Sequence, residues 1–288
     1  MDIRGLLRSP LAPLYLRPAF DRLAVPVIAG WYFPLSRAWA AARAADGDPD
    51  KLMEALPALS RRPRAAARAL ARLTPRIERH QRTADRWEAA LFGPKEEDPK
   101  ALAALESARQ GAAQAMMLGR LYFLGLHLAD RFPPIAWDLA GPAAVARRHG
   151  ARRADPARAF EMREPGAAFE LSRPIPQGEI ETQWLRGPAM AGGKPDTLWA
   201  RIERPRGRGP HPALVFTHGI CMETEFWREE DGPAERLAAE GIAVVRPEGP
   251  FHGRRTREGF FGGEPVFAFG PLGLLDYFEA HVRELGRL

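Results

Sequence analysis

One cysteine, Cys221, serves the whole 288-residue chain. No intrachain disulfide is therefore possible, and such usage fits a reducing compartment. Serine is nearly as scarce: Ser9, Ser36, Ser60, Ser107 and Ser172 are all there are, none flanked by glycines and none beyond position 172. Only Lys51, Lys95, Lys100 and Lys194 are lysines, so the basic residues are overwhelmingly arginines. An Arg- and Ala-heavy composition reads as base composition rather than a nucleic-acid footprint. No helix-turn-helix or aromatic-studded basic strand accompanies it, and no nucleic-acid partner is expected. Long apolar runs are missing too. Residues 23–35 are broken by Pro26 and Pro34, and residues 111–129 by Gln114, Arg120 and His127. The first is too short to span a bilayer, the second carries an arginine that hydrocarbon penalises, and both read as buried core. The N-terminus is interrupted by Arg8, Pro10, Pro13 and Arg17 before a secretory apolar segment can form. The expected location is cytoplasmic, with an anionic membrane surface as the alternative contact.

What is present divides in two. The hydrophobic fraction of 45% suffices for a sizeable core. The net charge of +6 is uneven: residues 1–165 hold 27 basic against 18 acidic side chains, and residues 166–288 hold 15 against 18. The first region reads as mainly helical. Asp48-Pro49, Thr74-Pro75 and Asp98-Pro99 each place a capping residue before proline at the first helical position. The third start opens what reads as the longest helix. Arg64, Arg68 and Arg72 recur every four residues and share one helical stripe, read as a solvated face or, more sharply, as a contact for an acidic lipid surface. Trp31, Tyr32 and Phe33 are the candidate apolar membrane contact.

Residues 151–178 read as a Pro/Gly/Arg-rich connection. After it the periodicity changes from helix to strand. Residues 179–187 and 196–205 alternate polar and apolar side chains as half-exposed strands do, with a turn between them. Residues 213–216 are continuously apolar, as in a strand covered on both faces, and lead into His218-Gly219. A one-face helix stopped by Gly241 follows, then a second buried strand running into the loop PEGPFHGRR, then a final helix.

This order of apolar strand, His-Gly, helix, strand and PFHG-type loop resembles the N-terminal half of the α/β-hydrolase superfamily over residues 179–288. The resemblance implies an α/β fold: an incomplete hydrolase-type sheet, its first four strands, preceded by an all-α N-terminal region. It implies a small-molecule ester-type substrate and esterase- or lipase-like hydrolysis with no cofactor and no metal. The loop after the His-Gly strand would supply a backbone oxyanion donor, Ile220, with Cys221 the neighbouring candidate. Gly219 would let the backbone approach closely, and His218 would orient the loop rather than act as base. Phe251, His252, Arg254 and Arg255 would line the substrate rim, or else form a Gly-rich turn with solvated arginines.

The family's nucleophile sits in a glycine-flanked serine elbow beyond this point. No serine here fits, and the sequence stops at Leu288 before such a strand would begin. The expectation is a chain truncated before its nucleophile, acid and base, and inactive as written. In the family's strand order the missing neighbour would leave residues 213–216 as an exposed apolar edge. The alternative is an inactive hydrolase scaffold serving as an interaction or peripheral membrane protein. Cys221 as nucleophile, a metal on Cys221 with His218 or His252, and a dyad of Asp276 and His281 are each weaker readings, the last pair being expected on the solvated side of the final helix. GFFGGEP lacks the GK[ST] of a nucleotide loop.

Overall fold

The computed structural model describes residues 22–155, 168–207, 209–222 and 233–288. The expected boundary between residues 165 and 166 lies outside them. A π-turn, Ile28–Tyr32, leads into α1 (Phe33–Ala44) and α2 (Pro49–Ala55), then a 3-10 turn into α3 (Pro63–Phe92). α4 (Pro99–Met117), a 3-10 segment Leu118–Phe123, α5 (Leu124–Ala129) and α6 (Pro142–Ala154) complete the helical half. α2 starts as its sequence requires: the Asp48 carboxylate accepts from the amides of Asp50 and Lys51 at 2.9 and 3.4 Å, and Pro49 follows.

Two helical expectations are corrected. Thr74-Pro75 does not start a helix: α3 runs unbroken for 30 residues and is the longest. Pro75 removes the amide that would bond the Ala71 carbonyl, but Ala71 is exposed, so water can take that carbonyl. The expected long helix from Asp98 instead ends at Met117 and tightens into the 3-10 segment. Residues 111–129 do bury Met116, Met117, Phe123 and Leu126, whereas Leu23, Val25, Val27 and Ile28 are exposed rather than core. Among the described residues no helix is long and apolar enough to cross a membrane.

The second half is a mixed α/β arrangement around an open, six-stranded, mostly antiparallel sheet. Two short strands, β1 (Glu170–Leu171) and β2 (Ile175–Gln177), lie in the segment read as connection, and both pair with β3 (Ile180–Ala191). β3 and β4 (Lys194–Pro205) form a long hairpin, paired from Ile180↔Pro205 to Ala191↔Lys194. Its two-residue turn is Gly192-Gly193, with φ of +56° and +71°, the left-handed pair that the strand twist favours. β5 (Ala213–Val215) pairs parallel with β6 (Ala243–Pro247) after the crossover helix α7 (Pro233–Ala239), and β6 pairs antiparallel with β4. The order is β1-β3-β4-β6-β5, so β5 is an edge. Its continuous apolar run is not covered on both faces: Leu214, Val215 and Phe216 are 45, 39 and 37% exposed. The chain closes with α8 (Glu264–Ala268) and α9 (Pro271–Leu285).

The two halves share their cores. Phe261 and Ala268 bury among the side chains of α1, α2 and α3, with Cys221, Phe260 and Phe269 packed against them. Trp87, Leu91 and Leu102 bury with Ile175, Trp184 and Trp199 of the sheet.

Candidate functional site

β5 and β6 run parallel side by side, so the segments leaving their C-terminal ends meet. Two histidines join them. His218 Nδ1–H donates to the Gly219 carbonyl at 2.9 Å, and its Nε2 accepts the Gly249 amide at 2.9 Å. His252 repeats the pattern: Nδ1–H donates to the Pro250 carbonyl at 2.8 Å and Nε2 accepts the Cys221 amide at 3.0 Å. Each ring is fixed in one neutral tautomer because a proton on Nε2 would face an N–H. Burial lowers both pKa values, that of His252 to about 3, where the His218 ring, 4.7 Å away and edge to face, adds to the effect. They staple the loops together. Neither has a ring nitrogen to spare as a general base.

The backbone bends sharply at this staple. Cys221 and Phe251 take φ of +64° and +68°, uncommon for side-chain-bearing residues and costly unless neighbours hold them. The Phe251 carbonyl accepts the Gly263 amide at 2.9 Å. Gly263 itself has φ of +79°, and a Cβ there would run into His252 Nε2 and stand 2.8 Å from the Cys221 nitrogen. Only glycine fits under the staple.

The structure brings His218, Gly219, Ile220, Cys221, Phe251 and His252 together, but several expected roles change. The Cys221 amide is engaged by His252, so it is not available as an oxyanion donor in this arrangement. Phe251 and His252 are 1 and 0% exposed and lie beneath the loop, not on a rim. Arg255 is buried as well: its guanidinium meets Asp196 at 2.7 Å, Glu284 at 2.6 and 2.7 Å, and the Glu248 carbonyl at 2.8 Å. Burial opposes that charge, but Glu284 and Asp196 outweigh it and raise the pKa. Arg254 leaves the loop in the other direction. It pairs with Glu248 at 2.5 Å and enters a cage of Trp87, Trp184 and Trp199, with ring centroids 4.7, 4.2 and 5.1 Å away. Both arginines are structural: Arg255 is held by carboxylates, and Arg254 by Glu248 and the indole faces.

Ile220 lies in the loop that leaves β5. Its N–H meets no hydrogen-bond acceptor among the described residues, and the side chain is 36% exposed, beside the engaged Cys221 amide. Among the described residues a Cβ at Gly219 would meet only the Met222 side chain, at 3.6 Å.

Sequence reasoning missed the ring stack below. Tyr277 lies 5.8 Å from His252 and stacks on His281 at 5.4 Å. His281 is buried, not solvated, its pKa is pushed down to about 4 by burial and by His218 and Arg255, and its Nδ1 has no hydrogen-bond partner. The spacing of Tyr277 and His281 on one helical face is the signal that could have found them. Asp276 is also buried, with Arg148 at 2.7 Å and His149 Nε2 at 3.0 Å, so it makes no dyad with His281.

His149, Asp276 and Glu279 offer potential metal-ligating atoms within 4.8 Å of one another. Their carboxylates are already held by Arg148, Arg152 and Arg283, and a cation would have to displace all three guanidiniums. They are an ion-pair cluster. Compared with protein families, curated proteins and solved structures, the chain matches none.

Proposed function

We propose that the chain carries the oxyanion-binding part of a serine-type hydrolytic site for carboxylic esters, with nucleophile, acid and base supplied by sequence beyond it. The supporting observation is the strand order β3-β4-β6-β5, which sets the His-Gly loop beside the loop after β6 and leaves the Ile220 amide without an acceptor among the described residues. Ester cleavage develops negative charge on one oxygen, and an N–H fixed in advance stabilises it without reorganising. The stapling histidines would do that fixing. Neutral rings suit the task, because neither changes charge as the reaction proceeds. The open edge at β5 fits an incomplete hydrolase-type sheet in which a further parallel strand carries the nucleophile.

Without a nucleophile such a site retains about 10³–10⁴-fold rate enhancement over water. The chain as written should therefore show no burst and no measurable turnover of 4-nitrophenyl butyrate, and no labelling by a fluorophosphonate. A product extended into downstream coding sequence should show all three. Labelling of the 288-residue chain, or an extended product inert to both reagents, contradicts the reading.

A second reading, an inactive scaffold at an anionic membrane surface, rests on a separate observation. Arg64, Arg68 and Arg72 are all exposed, and a shallow cavity of about 430 Å³ runs from Arg68 and Arg72 to Tyr122 and Gly125. Leu121 and Leu128, next in sequence to that wall, are exposed as well. A cationic stripe beside apolar side chains suits phospholipid. Sedimentation with phosphatidylserine vesicles should show binding that high salt abolishes; no binding at low salt sinks it.

A further inference from the structure

α6 and α9 enclose a groove of about 770 Å³, within the range of small-molecule sites. It is separate from the histidine staple. At 100° per residue, Leu275, Phe278 and Glu279 lie on one face of α9 and Tyr277, His281 and Glu284 on the opposite one. The first set lines the groove, and the second faces the buried cluster. Val145, Ala146, Pro271, Leu275 and Phe278 make most of its wall apolar, and Leu275 and Phe278 remain 39 and 44% exposed within it.

The charges of the groove are unequal. α6 carries Arg147, Arg148, Arg152 and Arg153 and no acid. Asp276 answers Arg148, and Glu279 answers Arg152. Arg153, also in the lining, has no carboxylate partner among the described residues. Arg153 is exposed at the edge of the groove, where a neutral apolar ligand would draw nothing from its charge. A small inorganic anion would leave Leu275 and Phe278 uncovered. One ligand chemistry satisfies both. We propose that the groove binds a long-chain carboxylate, its tail between α6 and α9 and its headgroup on Arg153. This inference stands independently of the hydrolytic reading.

Calorimetric titration of the intact chain with dodecanoate, dodecanol and acetate tests it. Dodecanoate should bind at least about tenfold more tightly than dodecanol, the margin of one charge-assisted hydrogen-bonded pair, and acetate should give no heat. Arg153→Gln should remove that margin without weakening dodecanol. Phe278→Asp should weaken both alkyl ligands, and because Phe278 is half exposed the variant should unfold at the temperature of the parent chain. Equal binding of dodecanoate and dodecanol, insensitivity to Arg153→Gln, or no heat with either overturns the proposal. So does a dimer in sedimentation that Phe278→Asp dissociates and dodecanoate does not, since a second copy would then be the occupant.

Discussion

The molecule has a closed side and an open side. On the closed side the helical half and the sheet interlock. Trp87 of α3, Trp184 of β3 and Trp199 of β4 surround Arg254, and Arg109 of α4 lies 4.9 Å over the Trp87 ring. Glu106 pairs with Arg109 at 3.0 Å and takes a hydrogen bond from Gln110. Burial alone would raise its pKa, but Arg109, Arg201 and Arg254 bring it down to about 2. On the open side Leu214 and Val215 of β5, Phe216 just after it, and Leu274 and Phe278 of α9 face outward. The contrast teaches where the site gets its rigidity. The arginine next to the staple is anchored in the indole cage, and Glu264, fully buried, accepts from the Ala136 and Phe261 amides, tying the loop over the staple to the helical half. The helical half is thus a support for the loops, and the β5 edge is the side with no neighbouring strand among the described residues.

The comparison predicts unequal costs. Trp184→Ala should cost the most, about 3–5 kcal/mol, because it empties the cage that holds Arg254 and faces Trp87. Urea denaturation checks this, and a loss under 1 kcal/mol would mean the cage is not what joins the halves. Glu106→Gln should follow at about 3 kcal/mol, since it leaves Arg109 buried without its carboxylate. Its own signature is the removal of acid sensitivity between the ordinary carboxylate pKa and about 2. Glu106 has a depressed pKa, so its stabilisation is full above the unfolded value and disappears as pH falls through the folded one.

Gly263→Ala should cost about 2 kcal/mol, the strain of a left-handed alanine pressed against the His252 staple. Faster exchange of the Cys221 amide would place the damage at the staple, and unchanged exchange there would contradict it.

The histidines give a pH signature of the opposite kind to a salt-bridged histidine. His218, His252 and His281 all have folded pKa values below the ordinary 6.5, so the unfolded chain takes up protons first. Stability should be full above 6.5 and fall steadily from there, through about 4 for His281 towards about 3 for His252. Resonances assigned to His218 and His252 that titrate near 6.5 in the folded chain would contradict the staple.

The smallest effect belongs to the open side. Leu214→Lys should change stability by less than about 0.5 kcal/mol and improve solubility, because an edge position facing water loses little when charged. A loss as large as that of Trp184→Ala would show that something covers β5.

Much of this was legible in the sequence where periodicity or turn chemistry is local. The Asp48-Pro49 start, the β3-β4 hairpin, the apolar β5 and β6 and the stop at Gly241 follow from patterns a few residues long. The meeting of the loops after β5 and β6 follows from the parallel pairing of the two strands, which no local pattern specifies. What pattern could not carry are partnerships across the chain. Arg254 and Arg255 look like solvated loop arginines until Trp87 and Glu284 are placed beside them. Phe251 and His252 are rim candidates through the family resemblance, yet Phe251 packs with Val266 of α8 and Tyr277 of α9, and His252 lies against Tyr277. Pro75 marked a helix start by a rule that holds for first turns, and α3 overrode it by exposing the freed carbonyl.

The most direct measurement is to read the native gene beyond the codon for Leu288 in all three frames and assay the extended product. The account predicts an apolar strand followed by a glycine-flanked serine, with an acid and a histidine later, and ester turnover that a fluorophosphonate abolishes. A stop with no such elbow in any frame would contradict the hydrolytic reading.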